Sequence, residues 1–528
     1  MRIEITPFTT QKPGTGGLRR PTREFILPHY AESFVQAVIN RFKALGMPIE
    51  KMAFGSDGRW PGKEMLPRLI KVLLANGVKK ILVAGRDFVA TTPAVSHLIR
   101  HHKCDGGFML SASHNPGGID GDFGIKVEMP NGGQPAESFT NALYEETKKL
   151  TSYETLEISD EEALFKAETI DAKEEYLDLM RSMFDFPVIH KWFDEGRTLR
   201  FDCMNASTGP YAHRIFAEEF GAKPEWILRD IPLGDFGGIH PEPNPTYARE
   251  LYDFMMNTRG ADFACACDGD GDRNMVMGKG IFVSPPDALA IMTKYYKLIP
   301  YYRDHLTGIA RSIPTSSAVD MVAKKLGLKS YATPTGWKWF ASLLDAGMVQ
   351  LCGEESFGQG GDYIREKDGI FAILYWINIM GATGKGPYEL LHELWNEYGR
   401  VFYSQYSYEG VDKDKAEAVV KYAREADLIG SYGIVSQESI NYRDPATGEV
   451  SRNQGIQLVT GDGSRIFMRL SGTGTVGATL RLYIEKHEKH AYKFDMPTCE
   501  YLAPLRENTA RIFRIGKYFG DLQPVVAI

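Results

Sequence analysis

A short apolar strand, a polar loop and an amphipathic helix follow one another repeatedly along most of the chain, and this alternation constrains the fold more than any other feature. In the first unit, apolar residues recur at helical spacing from Leu66 to Leu74, and the strand 81–84 (ILVA) follows at once. Further units begin with the strands 199–203 and 308–310. Such alternation is typical of α/β domains with parallel-leaning sheets. The pattern therefore predicts a series of similar α/β domains.

From about residue 400 the pattern changes. A charged helical stretch at 412–427 precedes two alternating strands, 464–470 and 478–484, which flank a glycine-rich loop. These features predict a separate α+β domain. A chain of 528 residues is also too long for one hydrophobic core. We therefore expect three or four domains, and a division into four covers residues 1–185, 186–285, 286–400 and 401–528.

Charge and composition exclude several classes of protein. The net charge of −7 argues against nucleic acid as the main partner. The apolar runs are too short to span a membrane, and the N-terminus lacks the apolar core of a signal peptide. Six cysteines in so long a chain do not form a disulfide framework. We expect a cytoplasmic protein without a membrane span.

A serine-rich loop follows the apolar stretch 107–110. Its sequence, SASHNPGG at 111–118, is that of a tight loop at the end of a buried strand, which is a position suited to a reactive side chain. Ser113 either caps the turn through its own backbone or carries a reactive hydroxyl. These eight residues alone do not decide between the two interpretations.

The run 268–273 (DGDGDR) places Asp268, Asp270 and Asp272 at alternate positions, where glycines let the carboxylates converge. Two such charges at 4 Å repel by about 4 kcal/mol at an effective dielectric near 20, so a cation must stabilise the cluster. Hard oxygen ligands indicate Mg²⁺ or Ca²⁺. A solvated acidic turn is the alternative.

Two known acidic motifs do not fit this run. An EF-hand needs glycine and glutamate at its sixth and twelfth positions, where this chain has Arg273 and Lys279. A phosphatase of the haloacid dehalogenase type needs threonine or valine at the position of Asp272. An octahedral Mg²⁺ held by three aspartates has room for another oxygen, which a phosphorylated Ser113 would supply.

Further loops offer groups that bind anions and sugars. The run 469–477 (RLSGTGTVG), with Arg481 on the next strand, resembles a phosphate cradle, although a surface hairpin is the alternative. The run 353–358 (GEESFG) offers carboxylates and a hydroxyl for sugar hydroxyls, and Lys367 can meet a phosphate or act as an acid. The turn 333–338 is a candidate second part of the sugar site.

Four of these motifs, SHNP, DGDGDR, GEESFG and RLSGTG, occur in the order that is found in the α-D-phosphohexomutase superfamily. The chain resembles this superfamily from about residue 10 to its end. The runs 365–369 (REKDG) and 451–455 (SRNQG) resemble the phosphoglucomutase branch in particular. The resemblance implies a heart-shaped molecule of three similar α/β domains with mixed sheets and a C-terminal α+β domain, with the active site in the central cleft.

The resemblance also implies roles for individual residues. Ser113 would be the phosphoserine and would bind Mg²⁺ together with Asp268, Asp270 and Asp272. His114 and Lys126 would assist proton transfer, Arg19 and Arg273 would stabilise the transferring group, and Lys367 would lie near the sugar or its phosphate. The implied substrate-binding residues are Thr333, Gly336, Glu354, Ser356, Arg469, Ser471, Thr473 and Arg481.

The implied activity is the interconversion of glucose 1-phosphate and glucose 6-phosphate through a phosphoserine enzyme and glucose 1,6-bisphosphate, in a monomer or weak dimer. Gly16, Ser111 and the pair 475–476 depart from the common family pattern, and none of these changes removes a reacting group. The alternatives are a mutase for mannose or glucosamine phosphate, and a phosphoprotein or scaffold that keeps the fold without catalysis.

Overall fold

The computed structural model describes residues 1–14, 16–85, 87–471 and 477–526. Over these residues the chain forms four larger β-sheets, each packed against helices, and two small two-stranded sheets. The fold class is confirmed: three α/β units with mixed sheets precede a C-terminal unit with a mainly antiparallel sheet. The positions of the four domain boundaries stay a prediction.

The first unit is a six-stranded mixed sheet in the order β2-β6-β5-β3-β4-β8. Its central strands β3, β4 and β5 are parallel, and β6 runs antiparallel to β5. Because β3 and β5 are parallel neighbours, the loops that follow them lie at the same edge of the sheet. The strands are β1 Arg2–Glu4, β2 Leu18–Pro21, β3 Lys51–Ser56, β4 Lys80–Ala84, β5 Gly106–Leu110, β6 Asp122–Glu128, β7 Ser152–Glu154 and β8 Glu168–Ile170. The helices are α1 Thr22–Phe25, α2 Tyr30–Ala44, α3 Gly62–Ala75, α4 Thr92–His101, α5 Glu137–Thr147, α6 Asp160–Phe165 and α7 Ala172–Met183.

The second unit is a five-stranded sheet in the order β10-β9-β11-β12-β13. Strands β9 and β11 are parallel, whereas β11 and β12 form an antiparallel hairpin whose turn is the acidic loop. Two π-helical turns, His213–Glu219 and Phe254–Thr258, extend its helices. Its elements are α8 Phe186–Asp194, β9 Leu199–Asp202, α9 Thr208–Ala212, β10 Ile227–Leu228, α10 Arg249–Asp253, β11 Phe263–Cys267, β12 Asn274–Gly278 and β13 Ile281–Val283.

The third unit is a four-stranded sheet in the order β15-β14-β16-β17. Its longest helix, Gly369–Thr383, is buried on every side from Gly369 to Met380 and carries no charged residue, as expected for a helix inside a core. None of the helices in the described part of the chain has the length and hydropathy that crossing a membrane requires. The elements are α11 Pro285–Lys294, β14 Gly308–Ser312, α12 Ala318–Leu326, β15 Lys329–Thr333, α13 Trp337–Asp345, β16 Leu351–Glu354, β17 Gly358–Gly361, α14 Gly369–Thr383 and α15 Pro387–Tyr398.

The fourth unit is a six-stranded sheet in the order β19-β22-β23-β24-β18-β25. The long strand β24 pairs antiparallel with both β18 and β23. Its strands are β18 Arg400–Val411, β19 Ile434–Ser439, β20 Tyr442–Arg443, β21 Val450–Ser451, β22 Ile456–Thr460, β23 Arg465–Ser471, β24 Ala478–Glu488 and β25 Val525–Val526. Its helices are α16 Lys413–Glu425, α17 Thr498–Tyr501, α18 Ala503–Ile512 and α19 Ile515–Phe519.

The hydrophobic cores divide the molecule differently from the sheets. One cluster of buried side chains continues from the first unit through the second and third. A second cluster covers the other face of the first sheet, and a third consists only of residues from Phe402 to Ile515. The first three units therefore share a core, to which the fourth contributes Val401 and Phe494, while most buried residues of the fourth unit form a core of their own.

Candidate active site

The loop after β5 holds Ser113 in a constrained backbone conformation. Its φ of 54° lies in the left-handed region, which a non-glycine residue rarely adopts. Its backbone N–H donates to the Ser111 hydroxyl at 2.7 Å, and its carbonyl accepts from Nη2 of Arg59 at 2.6 Å. Its hydroxyl donates to Oδ2 of Asp268 at 2.9 Å. The loop therefore aims the serine hydroxyl at the acidic loop of the second unit.

Arg59 and Asp57, in the loop after β3, form the support of the serine loop. Their ion pair, 2.8 Å between Nε and Oδ2, has no solvent exposure at either side chain. Arg59 also donates to the carbonyl of Asp122 at 2.7 Å and lies over the ring of Phe236. One buried guanidinium thus joins three loops around Ser113.

The acidic loop follows the buried strand β11 and brings its three carboxylates together. One oxygen from each of Asp268, Asp270 and Asp272 lies within 4.8 Å of the others, and all three side chains are buried. Oδ1 of Asp270 is buried and accepts no hydrogen bond from any residue in the described ranges. A buried, unpartnered carboxylate oxygen in a cluster of three suits a hard divalent cation. The residues therefore fit the predicted metal.

Lys126 on β6 balances part of this charge. Its ammonium group lies 2.5 Å from Oδ2 of Asp270 and 3.1 Å from Oδ2 of Asp272. Burial disfavours ionisation of Asp270, but Lys126 outweighs it and holds the pKa of Asp270 well below its usual range. Burial and the two neighbouring carboxylates raise the pKa of Asp268. Because a dication favours ionised ligands, it would oppose that rise.

Two further carboxylates, Glu128 and Glu366, lie near Lys126. Neither oxygen of Glu128 accepts a hydrogen bond from the described residues, and Glu366 accepts one from Gln134 at 3.3 Å. Burial raises the pKa of Glu366 to about 7 and also raises that of Glu128. Although burial opposes its charge, the surrounding carboxylates raise the pKa of Lys126 well above its usual value. Lys126 is therefore a cation at neutral pH.

His114 and two arginines line the other side of Ser113. Nδ1 of His114 is 3.4 Å from the serine hydroxyl, and burial lowers the histidine pKa well below its usual value, with Arg273 and Arg19 adding to the effect. His114 is therefore neutral at pH 7. Burial lowers the pKa of Arg19 to about 10, which leaves it charged. Nη1 of Arg273 pairs with Glu242 at 3.1 Å.

Lys367, in the segment between β17 and α14, joins the acidic loop to the end of β16. Lys367 Nζ lies 3.3 Å from Oδ1 of Asp272 and 3.5 Å from Oε1 of Glu354. The Ser356 hydroxyl donates to the same Glu354 oxygen at 2.7 Å. The predicted sugar-binding residues Glu354 and Ser356 are thus joined to the metal-binding loop.

Thr333 is the last residue of β15, and Gly336 directly precedes α13. Thr333 pairs in register with Ser312 on β14, at the edge of the sheet that also carries Glu354. Its hydroxyl donates to the carbonyl of Pro334 at 3.1 Å, and Gly336, at φ 124°, begins α13. The turn lies at the same edge of the sheet as Glu354, and no hydrogen bond among the described residues joins it to the acidic loop. Their role in binding substrate stays a prediction.

The predicted phosphate cradle lies on β23 and β24. Arg469 and Arg481 face each other in register, and Nε of Arg469 donates to the Tyr483 hydroxyl at 3.0 Å. Ser471 is the last residue of β23 and is buried. Thr473 lies outside the described residues. The two arginines therefore form a cationic pair on the fourth sheet.

Several residues that complete the site were not identified from the sequence. They are Asp57, Arg59, Thr92, Glu128, Glu242, Glu355, Glu366 and Tyr483. The hydroxyl of Thr92 donates to Asp270 at 2.8 Å from the start of α4, across 178 residues of sequence. Asp57 and Arg59 did carry a signal, because charged residues directly after a buried strand parallel to β5 must lie beside Ser113.

Four family models match consecutive parts of the chain. Three are described as phosphoglucomutase/phosphomannomutase alpha/beta/alpha domains I, II and III, and they match residues 10–154, 174–280 and 285–398. The fourth, phosphoglucomutase-1 C-terminal domain, matches residues 400–525. Together they cover almost the whole chain in the order of the four sheets.

Relatives match over the same length. A phosphoglucomutase of Rhizobium radiobacter is 45% identical over 539 residues, with 99% of each chain covered. A cytoplasmic phosphoglucomutase of Mesembryanthemum crystallinum is 40% identical over 575 residues, covering 99% of this chain and 98% of the relative. The open form of the exocytosis-sensitive phosphoprotein pp63/parafusin, a phosphoglucomutase of Paramecium, superposes with a TM-score of 0.92 at 37% identity, covering 100% and 99% of the two chains.

Proposed function

This chain belongs to the phosphoglucomutase/phosphomannomutase family, and we propose that it interconverts glucose 1-phosphate and glucose 6-phosphate by passing a phosphoryl group to and from Oγ of Ser113. The full-length similarity to phosphoglucomutases supports an isomerase that acts on glucose phosphates. The observation that carries the mechanism is the serine hydroxyl, held 2.9 Å from a carboxylate of a buried aspartate triad. A nucleophile beside a hard-cation site is the arrangement that phosphoryl transfer requires.

Mg²⁺ is the cation that these residues would hold. Asp268, Asp270 and Asp272 would supply carboxylate oxygens, and a phosphoryl oxygen on Ser113 would complete the set. When bound, the ion would neutralise charge on the phosphoryl group and make the serine oxygen a better leaving group. Thr92 and Ser111 fix Asp270 by donating to its Oδ2 at 2.8 and 3.0 Å.

The first half-reaction transfers the phosphoryl group from Ser113 to the 6-hydroxyl of glucose 1-phosphate. The new bond joins phosphorus to the sugar oxygen, and the bond from phosphorus to serine Oγ breaks. The sugar hydroxyl loses its proton, and serine Oγ gains one. The second half-reaction reverses these changes at the 1-phosphate of glucose 1,6-bisphosphate. His114, neutral and 3.4 Å from Oγ, is suited to accept the serine proton in that second step.

The other side chains of the site have separate proposed roles in charge compensation and substrate binding. Lys126 contacts Asp270 and Asp272, so we propose that its ammonium group balances the carboxylates and that any proton it transfers is one it donates. Arg19 and Arg273 offer fixed donors to the transferring group. Glu354 and Ser356 bind sugar hydroxyls, and Arg469, Ser471, Thr473 and Arg481 hold the phosphate that does not react. A cradle built on charge can accept either end of the bisphosphate.

The cellular setting is part of the proposal. All six cysteines are unpaired thiols, which suits a reducing compartment such as the cytoplasm. Relatives include both cytoplasmic and chloroplastic phosphoglucomutases, so location is tested by fractionation of the source cells. We propose a monomer or weak dimer, which sedimentation over a range of concentrations would test.

The decisive experiment compares wild type with Ser113→Ala and Ser464→Ala. Conversion of glucose 1-phosphate is followed with Mg²⁺ and a trace of glucose 1,6-bisphosphate. Removing the nucleophile should lower turnover roughly a thousandfold or more. Ser464 directly precedes β23 and contacts Asp462 rather than a predicted site residue, so loss of its hydroxyl should leave turnover within about twofold.

Phosphorylation of the protein gives a second measurement. Glucose 1,6-bisphosphate carrying a radioactive phosphorus label should transfer it to wild type and to Ser464→Ala, but not to Ser113→Ala. Full mutase activity of Ser113→Ala would overturn the mechanism. Higher turnover of mannose or glucosamine phosphate would favour the alternative mutases, and labelling without turnover of any sugar would favour the non-catalytic phosphoprotein.

A further inference from the structure

One face of the β23–β24 hairpin carries three successive cross-strand pairs that lead from the third unit toward the phosphate cradle. Side chains two residues apart on a strand lie on the same face, so the pairs follow one another along the hairpin. The pairs, from the far end to the cradle, are Arg465 with Glu485, Phe467 with Tyr483, and Arg469 with Arg481.

The far pair anchors the hairpin to the third unit. Arg465 bonds Glu485 at 2.8 Å and donates to the carbonyls of Ile313 and Thr315 at 2.5 and 2.7 Å. Glu485 in turn accepts from the Ser317 hydroxyl at 2.9 Å. This end of the hairpin is therefore fixed against the loop that follows β14.

The middle pair joins the cradle to the sugar loop through one hydroxyl. The Tyr483 hydroxyl accepts from Nε of Arg469 at 3.0 Å and faces Oε1 of Glu355 at 3.4 Å, to which it donates. Tyr483 and Glu355 are both buried. The other Glu355 oxygen accepts from the Ser312 hydroxyl, and Glu355 directly follows the predicted sugar ligand Glu354.

The hydroxyl also separates two opposite charges. Burial by itself would lower the pKa of Arg469, but the interactions of its guanidinium with Tyr483 and with the Glu355 carboxylate raise it. Arg469 is therefore attracted toward Glu355. With Nε occupied by the tyrosine, the terminal nitrogens of Arg469 are the donors left for a phosphate. Without the hydroxyl, the guanidinium can turn toward the buried carboxylate, because both groups would lose a partner.

We infer that Tyr483 is a positioning residue that holds the Arg469 guanidinium in its phosphate-binding orientation and links the phosphate cradle to the sugar loop at Glu355. This inference rests on the proposed function, in which Arg469 binds the non-reacting phosphate. The link couples two parts of the substrate site that come from different units of the fold. The binding of glucose 1-phosphate and the binding of glucose 6-phosphate should depend on this link equally.

The test compares Tyr483→Phe with Tyr403→Phe. Both rings are buried in the same small aromatic cluster, but the Tyr403 hydroxyl has no hydrogen-bond partner among the described residues. Tyr483→Phe should raise KM about tenfold for both glucose 1-phosphate and glucose 6-phosphate. The free energy lost with a hydrogen bond to a charged group corresponds to about a tenfold change in affinity. Its kcat should change less than about twofold, as for a loss of uniform binding. Tyr403→Phe should change neither constant.

A double variant separates positioning from a general structural effect. Lysine has no Nε–H to donate to the tyrosine, so Tyr483→Phe should raise KM no further in an Arg469→Lys background. Equal behaviour of the two tyrosine variants, or effects on KM that multiply in the double variant, would overturn the inference. Should Tyr483→Phe fail to fold, Glu355→Gln is measured with the same expectations. Failure of the proposed function is distinct, because wild type itself would then not convert glucose phosphates.

Discussion

At the scale of single residues, the site depends on charges that are buried but compensated. The ion pair of Arg59 with Asp57 is completely shielded from solvent, and the same guanidinium donates to the carbonyl of Ser113. An ion pair in such a position contributes less to stability than its attraction implies, because both charges lose their hydration. Removing one partner is costly, since the other charge stays buried alone.

Arg59→Met should therefore destabilise the protein by about 3–5 kcal/mol, because it leaves the Asp57 carboxylate without a partner. The measurement is urea unfolding followed by circular dichroism. The control is Arg23→Ala, which breaks an ion pair with Asp120 whose side chains are 66% and 81% exposed, and it should cost less than about 1 kcal/mol. Similar costs for both variants would show that the buried pair does not support the serine loop.

Some residues of the candidate site could be predicted from the sequence and others could not. The aspartate triad and Ser113 were predictable because each motif is contiguous and its chemistry is carried by the residue types themselves. Tyr483 was not, because its hydroxyl acts only through Arg469, 14 residues away, and Glu355, 128 residues away. A tyrosine in an alternating strand gives no sign of such partners.

At the scale of elements, the site forms where two loops approach more closely than most side chains allow. A Cβ atom on Gly269 would lie 2.4 Å from the carbonyl oxygen of Ser113. The alternation of glycine and aspartate in this loop therefore does more than let the carboxylates converge, which was the reason inferred from the sequence. It also lets the loop after β11 lie against the loop after β5.

Gly269→Ala should separate the two loops and move Asp268 away from the serine hydroxyl. A displacement of about 1 Å at reacting groups can cost on the order of a hundredfold in rate, so we expect a loss of that size in kcat. Gly516→Ala in α19 is the control, because nothing lies within 4 Å of the added Cβ. Steady-state kinetics of both variants check this, and unchanged turnover in Gly269→Ala would contradict the close packing of the loops.

The succession of elements was the most predictable part of the fold. Strand, loop and helix alternate in the first three units because the buried strands are short and apolar and most helices have one apolar face, and both patterns are local. The pairing order of the strands is not local. Nothing in the sequence of β6 indicates that it lies between β2 and β5 and so brings Lys126 beside the aspartate triad.

At the scale of the whole molecule, the fourth unit is set apart by its core. The largest core cluster continues through the first three units and includes Val401 and Phe494 of the fourth, whereas the fourth unit's own cluster contains only residues from Phe402 to Ile515. The contact between the third and fourth units includes the hydrogen bonds of Arg465, a small cluster of four buried residues, and the ring contacts of Trp339 with Tyr442 and of Trp395 with Phe494. Domains that do not share one large hydrophobic core can move relative to each other, and such motion would let the predicted cradle adjust to its substrate.

A separate core also predicts separate unfolding of the fourth unit. All seven tryptophans lie between residues 60 and 395, and two of them, Trp339 and Trp395, pack against residues of the fourth unit. Tryptophan fluorescence therefore reports mainly the first three units, while circular dichroism reports all four. Leu458→Ala, in the core of the fourth unit, should cost about 2–5 kcal/mol and lower the midpoint of an unfolding transition that is larger in circular dichroism than in fluorescence. Leu289→Ala, in the shared core, should lower the fluorescence midpoint. An equal shift of both signals in Leu458→Ala would mean that the molecule unfolds as one unit, and the cradle would then move only with the rest of the site.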